Sequence, residues 1–283
     1  MIRGGYRSRK MEDILAEAEK LAQWGVKELM VIAQDTTRYG EDLYGEGKLP
    51  QLLTELCKVE GICWIRVLYC YPERITDELL EVMAKEDKIL KYMDLPLQHC
   101  NRQVLRAMNR QGDRESLSAL IRKIREKVPG IVLRTTFDGG LPRRNGGGLF
   151  EELGGIAKEM RFERMGCFAY STEEDTPAGE REDQIDEEVR RHRADLVMEE
   201  QMGIAFELGK SLVGKKLEVL VEGYDDEQQM YVGRSYMDAP DIDTKTSFVS
   251  EYEDVKPGDF VWVEILDSVG YDLIGRQTEP DEE

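Results

Sequence analysis

Ile89-Leu90-Lys91-Tyr92-Met93-Asp94-Leu95-Pro96-Leu97-Gln98-His99 decides how this chain is read. Residues 89–97 are apolar enough to form a strand covered on both faces, and polar side chains gather where the run ends. Helices are expected on either side, at 76–86 and across 101–127, with further apolar runs of strand length at 62–70 and 131–137. Farther out come a helix at 48–59 and a strand at 27–33, and downstream a helix at 149–160, a strand at 164–170 and a long charged helix from about 185 to 209. At 11–24, Ile14, Leu15, Ala18, Leu21 and Ala22 share one helical face. Five buried strands separated by helices predict an α/β fold, either a parallel sheet or a partial, open TIM-like β/α barrel. The series starts on a helix, whereas a right-handed crossover needs a strand before it, so a first strand and its loop are expected upstream of Met1.

Beyond residue 209 the pattern becomes short runs with two-residue alternation at 217–221, 230–234, 260–266 and 272–276, which predict a small all-β, OB-like barrel. Pro257-Gly258-Asp259 is a turn signal, because Pro fixes the first dihedral and Gly accepts the second. The domains are therefore expected at 1–209 and 210–283.

The 283 residues carry a formal charge of -19. From residue 213 onward there are 6 Lys or Arg against 19 Asp or Glu, a balance of -13, which leaves -6 for the first 212 residues. Such a surface excludes a generic grip on a phosphate backbone. No run approaches the ~18 apolar residues of a membrane span, and the opening residues lack the apolar middle of a secretory signal, so a cytoplasmic protein with no membrane partner is expected. The 5 cysteines, Cys57, Cys63, Cys70, Cys100 and Cys167, form neither C-x-x-C nor C-x-x-x-C-x-x-C. They read as buried small apolar residues, not as disulfides or metal ligands.

Ligands of open α/β sheets bind where the strands end, so the polar residues just past each run are the candidates. These are Gln34, Asp35, Thr36 and Thr37; Cys70, Tyr71 and Glu73; Asp94, Gln98 and His99; Arg134, Thr135 and Thr136; and Tyr170 and Ser171. Asp35-Thr36-Thr37 reads equally as a helix cap or turn, and His99 as an ordinary hydrogen-bonded residue. Arg134 within a strand needs an anionic partner, which a ligand carboxylate would supply.

Arg3-Gly4-Gly5-Tyr6-Arg7-Ser8-Arg9 is similar to the stretch that follows the cluster cysteines in radical S-adenosylmethionine methylthiotransferases. Gln34-Asp35-Thr36-Thr37-Arg38-Tyr39-Gly40, Asp94-Leu95-Pro96-Leu97-Gln98-His99 and residues 165–177 resemble that family's strand-end motifs, in the right order along nearly the whole chain. The resemblance implies a radical SAM core followed by a TRAM domain. Gly233-Arg234-Ser235-Tyr236-Met237-Asp238-Ala239-Pro240-Asp241-Ile242-Asp243 resembles the branch whose target is an aspartate of ribosomal protein S-twelve, and an acidic module would attract that basic client and repel tRNA.

The chemistry the resemblance implies starts when a four-iron, four-sulfur cluster gives an electron to S-adenosylmethionine. The resulting carbon radical takes a hydrogen from the aspartate β-carbon, and sulfur and methyl are then installed there. The intact protein is expected to use two such clusters and an electron donor such as flavodoxin or ferredoxin. Gln34, Asp35, Gln98, His99 and Arg134 are the residues expected to form the S-adenosylmethionine pocket.

The chain departs from the family pattern in two places. The C-x-x-x-C-x-x-C loop is absent, so neither cluster is expected on these residues and the chain alone is expected to be inert. Residues 138–148 read as a flexible loop where the family has a G-x-P-G-E-T type turn, and Gly154 and Gly155 interrupt the expected helix at about 1 kcal/mol each. The alternatives are a tRNA methylthiotransferase, or a module without clusters that only binds a basic ribosomal protein.

Overall fold

A computed structural model describes residues 4–139, 146–172, 176, 179, 180, 182, 184–251 and 254–280, with side chains of 146–150 left aside. The chain divides into two compact units, one formed by Met1–Leu97 and Glu115–Arg134, the other by Gln98–Arg114 and Thr135–Glu283.

In the first unit the helices are α1 (Met11–Gln23), α2 (Glu41–Tyr44), α3 (Leu49–Cys57), α4 (Asp77–Lys85) and most of α6 (Arg114–Lys127). They alternate with strands β1 (Glu28–Val31), β2 (Trp64–Val67), β3 (Ile89–Asp94) and the start of β4 (Val132–Asp138). These strands are parallel neighbours in that order, with Glu28 opposite Trp64, Met30 opposite Arg66, Tyr92 opposite Val132 and Asp94 opposite Arg134. Leu49, Leu52, Leu53 and Leu56 are buried at three- and four-residue spacing, which turns one face of α3 into the core. Helix α4 starts where the Thr76 hydroxyl accepts the Leu79 N–H at 3.2 Å, a cap worth about 1 kcal/mol.

Strand β2 is buried throughout, as expected, yet it carries Arg66 with no exposed side-chain surface. The guanidinium is held by Glu28 at 2.8 Å and lies 4.5 Å from the Tyr92 ring centroid. A charge tolerates such a place only when it is paired. Strand β1 differs from expectation. All four of its residues are half-exposed and Ile32 beyond it is 57% exposed, because among the described residues β1 has a hydrogen-bonded neighbour only on the β2 side.

The second unit contains α5 (Arg102–Ala107), the end of β4, α7 (Gly146–Met160), β5 (Arg164–Phe168), α8 (Glu187–Lys210) and five further strands. Helix α7 runs through Gly154 and Gly155, contrary to the interruption expected there. A Cβ on Gly155 would lie 3.2 Å from the Arg114 guanidinium, the far end of a flexible side chain. The expected loop falls largely on residues 140–145, outside those described, as does part of 165–177.

Helix α8 buries Arg190, Ala194, Val197, Gln201, Ile204 and Ala205 as one stripe. At its end Gly209 meets strand β9, where a Cβ would come within 2.2 Å of the Ser268 hydroxyl oxygen.

Strands β6 (Lys216–Asp225), β7 (Met230–Ser235), β8 (Thr246–Val249), β9 (Phe260–Val269) and β10 (Asp272–Thr278) close into a barrel in the order β10-β8-β7-β6-β9. Val219, Phe248, Val263 and Ile265 have no exposed surface and fill it. Four of these strands match the alternating runs. The fifth, β8, was not expected, because four residues are too few for a period to register. Gly258 has φ of 95° in the turn before β9, as the Pro-Gly pair required. Among the described residues no helix is long and apolar enough to cross a membrane.

Candidate functional site

In the first unit the strand tips are tied together by polar side chains. After β1 the chain enters a short 3-10 turn, Thr36–Arg38. The Thr36 hydroxyl donates to the Leu68 carbonyl at 2.6 Å and accepts the Ala33 N–H at 3.0 Å, joining the ends of β1 and β2. Thr37 donates its hydroxyl to the Asp35 carboxylate and accepts the Tyr71 N–H at 3.3 Å. Of the two readings of this triplet, the turn is therefore present in the fold. Asp35 is 8% exposed, and burial raises its pKa above the ordinary carboxylate value, against the opposing pull of Thr37 and of Arg74 at 3.3 Å.

At the tip of β3, Asp94 is 2% exposed. One carboxylate oxygen accepts the Tyr69 N–H at 3.0 Å and the other accepts the Arg134 guanidinium at 2.7 Å. The anionic partner that Arg134 was expected to need is thus supplied, in this structure, by the protein carboxylate of Asp94. Tyr69 sits at φ of 56°, a left-handed conformation that costs a non-glycine residue about 1 kcal/mol or more, and its amide on Asp94 helps to hold it there. Between the two carboxylates lies Cys70, fully buried, whose thiol is pushed up by burial first and then by Asp94 and Asp35. The fold accordingly gathers Asp35, Cys70, Asp94 and Arg134 in one region. Gln34 is exposed on the approach to it.

Residues 6–9 are pinned near the β1 tip. Ser8 donates its N–H to Asp42 at 2.8 Å and accepts the Gly40 N–H at 3.0 Å, and Tyr39 donates its hydroxyl to the Arg9 carbonyl at 3.1 Å. They help to line a cavity of about 370 Å³ whose other walls include Ile14, Leu21, Met30, Ile32 and Leu52. That apolar cavity follows the exposed edge of β1. A smaller one of about 320 Å³ borders Thr37, Glu41, Glu73 and Arg74.

Gln98 and His99 belong to the second unit. Gln98 has φ of 66° and makes a parallel bridge to Phe137, its N–H donating to Thr136 and its carbonyl accepting from Asp138, both at 2.8 Å. His99 is 6% exposed, and burial lowers its pKa to about 4 despite the nearby Glu152 carboxylate. Its Nδ1 accepts the Cys100 and Asn101 N–H groups, both at 2.9 Å, so the neutral ring carries its proton on Nε2. That atom has no protein partner among the described residues, which leaves it as a donor. Asn101, missed in the sequence, caps α5 by accepting from Gln103 and Val104 and donates to Glu152 at 2.8 Å. An Asn just before a helical run was the available signal.

Cys70 and Cys100 are buried, and Cys57, Cys63 and Cys167 are partly exposed. Cys57 is pushed up to about 11 and Cys100 and Cys167 to about 12, in each case by burial first. Among the described residues no three of His, Cys, Asp and Glu are grouped as a metal ion would require.

The buried core of the unexplained 233–243 motif faces inward. Asp238 has 1% of its side chain exposed and receives Arg164 of β5 through Nε at 3.1 Å and Nη2 at 2.5 Å, Thr244 at 2.7 Å and Ser235 at 3.0 Å. The motif therefore bolts the barrel to the strand that precedes it.

The sequence profile of the radical SAM superfamily matches residues 1–146, and that of the TRAM domain matches 213–277. The chain is similar to the ribosomal protein uS12 methylthiotransferase RimO of Lachnoclostridium phytofermentans, 49% identical over 278 residues, covering 97% of this chain and 62% of that protein. The protein of the same description from Caldanaerobacter subterraneus subsp. tengcongensis is 49% identical over 275 residues, with 97% and 62% covered. That from Desulfitobacterium hafniense is 49% identical over 278 residues, with 97% and 61% covered. The chain thus spans somewhat over three fifths of the length of these relatives.

Proposed function

The chain belongs to the radical SAM superfamily, and from that premise we propose that it is the larger part of a methylthiotransferase acting on an aspartate of ribosomal protein S-twelve. One observation carries the reading: relatives described as S-twelve methylthiotransferases are 49% identical over 97% of the chain, barrel included. Residues 1–209 form the radical SAM core and 210–283 the TRAM domain. The division rests on the end of α8 at Lys210 and the first barrel strand at Lys216.

S-adenosylmethionine, when bound, supplies the methyl group and the hydrogen-abstracting power of the superfamily. Its methionine end carries an ammonium and a carboxylate, and the first unit offers a buried carboxylate and a partly accessible guanidinium, in Asp35 and Arg134. Gln34, Asp35 and Arg134 are the first unit's candidates to hold it, and Gln98 and His99 stand by themselves in the second unit. Asp94 keeps Arg134 in place, and His99 offers an Nε2–H donor that stays neutral above pH 5. An electron donor of the flavodoxin or ferredoxin class serves the parent protein, which works in the cytoplasm.

The balance of -13 over residues 213–283 favours a basic protein client over tRNA, because counterion release rewards cationic surfaces only on nucleic acid. Binding of the chain to purified S-twelve and to tRNA, each followed across salt, tests the assignment. S-twelve is expected to bind and to weaken as salt rises. Tighter binding of tRNA with a steep salt slope would refute it.

A further inference from the structure

One end of the barrel carries an aromatic stack that the proposed chemistry leaves unused. Tyr224 of β6 and Tyr231 of β7 are cross-strand partners with ring centroids 5.0 Å apart at 71°, and Tyr231 stacks on the fully buried Phe248 at 5.5 Å. The stack therefore runs from the barrel core to a Tyr224 ring that is 51% exposed. Neither phenol makes a hydrogen bond among the described residues. The hairpin beside it is Asp225-Asp226-Glu227, and there is no Lys or Arg between residues 217 and 233. Its shape is fixed in advance: the Asp225 carboxylate accepts the Glu227 N–H at 2.9 Å and the Gln228 N–H at 3.0 Å, and Gln229 takes a left-handed φ of 55°.

Among the barrel's carboxylates, Glu222 is paired with Arg234, Glu264 with Arg276 and Asp238 with Arg164. Asp225, Asp226 and Glu227 make no ion pair among the described residues. A rigid aromatic face with a negative quadrupole beside three unneutralised carboxylates is complementary to a planar cation, and a guanidinium can both stack on the ring and bond a carboxylate. We propose that this end of the barrel, Tyr224 with Asp225, Asp226 and Glu227, is the surface on which an arginine side chain of the basic protein client docks. This rests on the client class proposed above and locates it on one face.

Affinity of the full chain for purified S-twelve, measured by calorimetry at low and moderate salt, reads the site. Tyr224→Ala is expected to weaken binding about fivefold or more, Tyr224→Phe to keep the wild-type affinity, and the pair Asp226→Asn with Glu227→Gln to weaken binding and flatten its salt dependence. Circular dichroism checks that each variant keeps its strands. The Asp226/Glu227 pair is exposed and carries the test if the alanine variant does not fold. Wild-type affinity in both Tyr224→Ala and the carboxylate pair overturns the docking site and leaves the client assignment standing. If the wild type does not bind S-twelve, the client assignment fails. An octa-arginine peptide then decides the site, lost on Tyr224→Ala if the site is right, and bound equally by both or by neither if it is wrong.

Discussion

His99 makes acid stability a direct test of the second unit's turn. The folded ring has a pKa of about 4, against 6.5 when solvated, because burial penalises the imidazolium and two backbone N–H groups already point at Nδ1. As pH falls through 6.5 the unfolded chain takes up a proton that the folded chain refuses until about 4, so stability declines across that window and is constant in this respect above it. At pH 5 the unfolded ring is almost wholly charged and the folded ring almost wholly neutral, a difference of about 2 kcal/mol, with about 3 kcal/mol reached below pH 4.

His99→Gln keeps an acceptor for the Cys100 and Asn101 amides and removes the titration. Urea unfolding of both proteins at pH 7 and pH 5 cancels the carboxylates common to both. The wild type is expected to lose about 2 kcal/mol more than the variant over that interval. Equal losses within about 0.5 kcal/mol, or a resonance that is absent from His99→Gln and titrates near 6.5 in the wild type, would show that the ring is not buried neutral.

The bolt between β5 and the barrel gives a second expectation. Asp238→Ala removes the carboxylate that Arg164, only 12% exposed, is paired with, leaving it the Glu163 carbonyl and the Thr244 hydroxyl, and should lower stability by about 3 kcal/mol in denaturant unfolding. A loss below about 1 kcal/mol would mean that water reaches that arginine. At the joint between α8 and β9, Gly209→Ala places a methyl against the Ser268 hydroxyl and should cost about 1–3 kcal/mol. Ser268→Gly in the same chain should recover most of that. Ser268→Ala alone should be close to neutral, because the buried hydroxyl has no hydrogen-bond partner among the described residues. If the double variant is no better than Gly209→Ala, the close approach is not the cause.

The order and type of nearly every element could be read in the sequence because they rest on local periodicity. Helical faces such as Leu49, Leu52, Leu53 and Leu56 and short buried runs such as Trp64–Val67 state their identity within a few residues. Part of the candidate region was legible in the same way: polar side chains follow apolar runs at strand ends, and Asp35, Gln98 and His99 lie past such ends, whereas Arg134 sits inside β4. The partners of those side chains were not legible. Asp94 and Arg134 are 40 residues apart and meet only because β3 and β4 pair in a register that brings them opposite. His99 is set neutral by burial, which no neighbour in sequence announces.

The same limit explains the misreadings. Gly154 and Gly155 looked like a break in a helix, and α7 runs through both. The 233–243 motif served in the sequence only to mark the branch, and the fold shows Asp238 turned inward onto Arg164. Local sequence set what each segment is, because dihedral preference and hydrophobic period act over a few residues. Tertiary structure set which charges are neutralised, which rings are exposed and which edge is uncovered, because desolvation depends on neighbours that only the folded chain assembles.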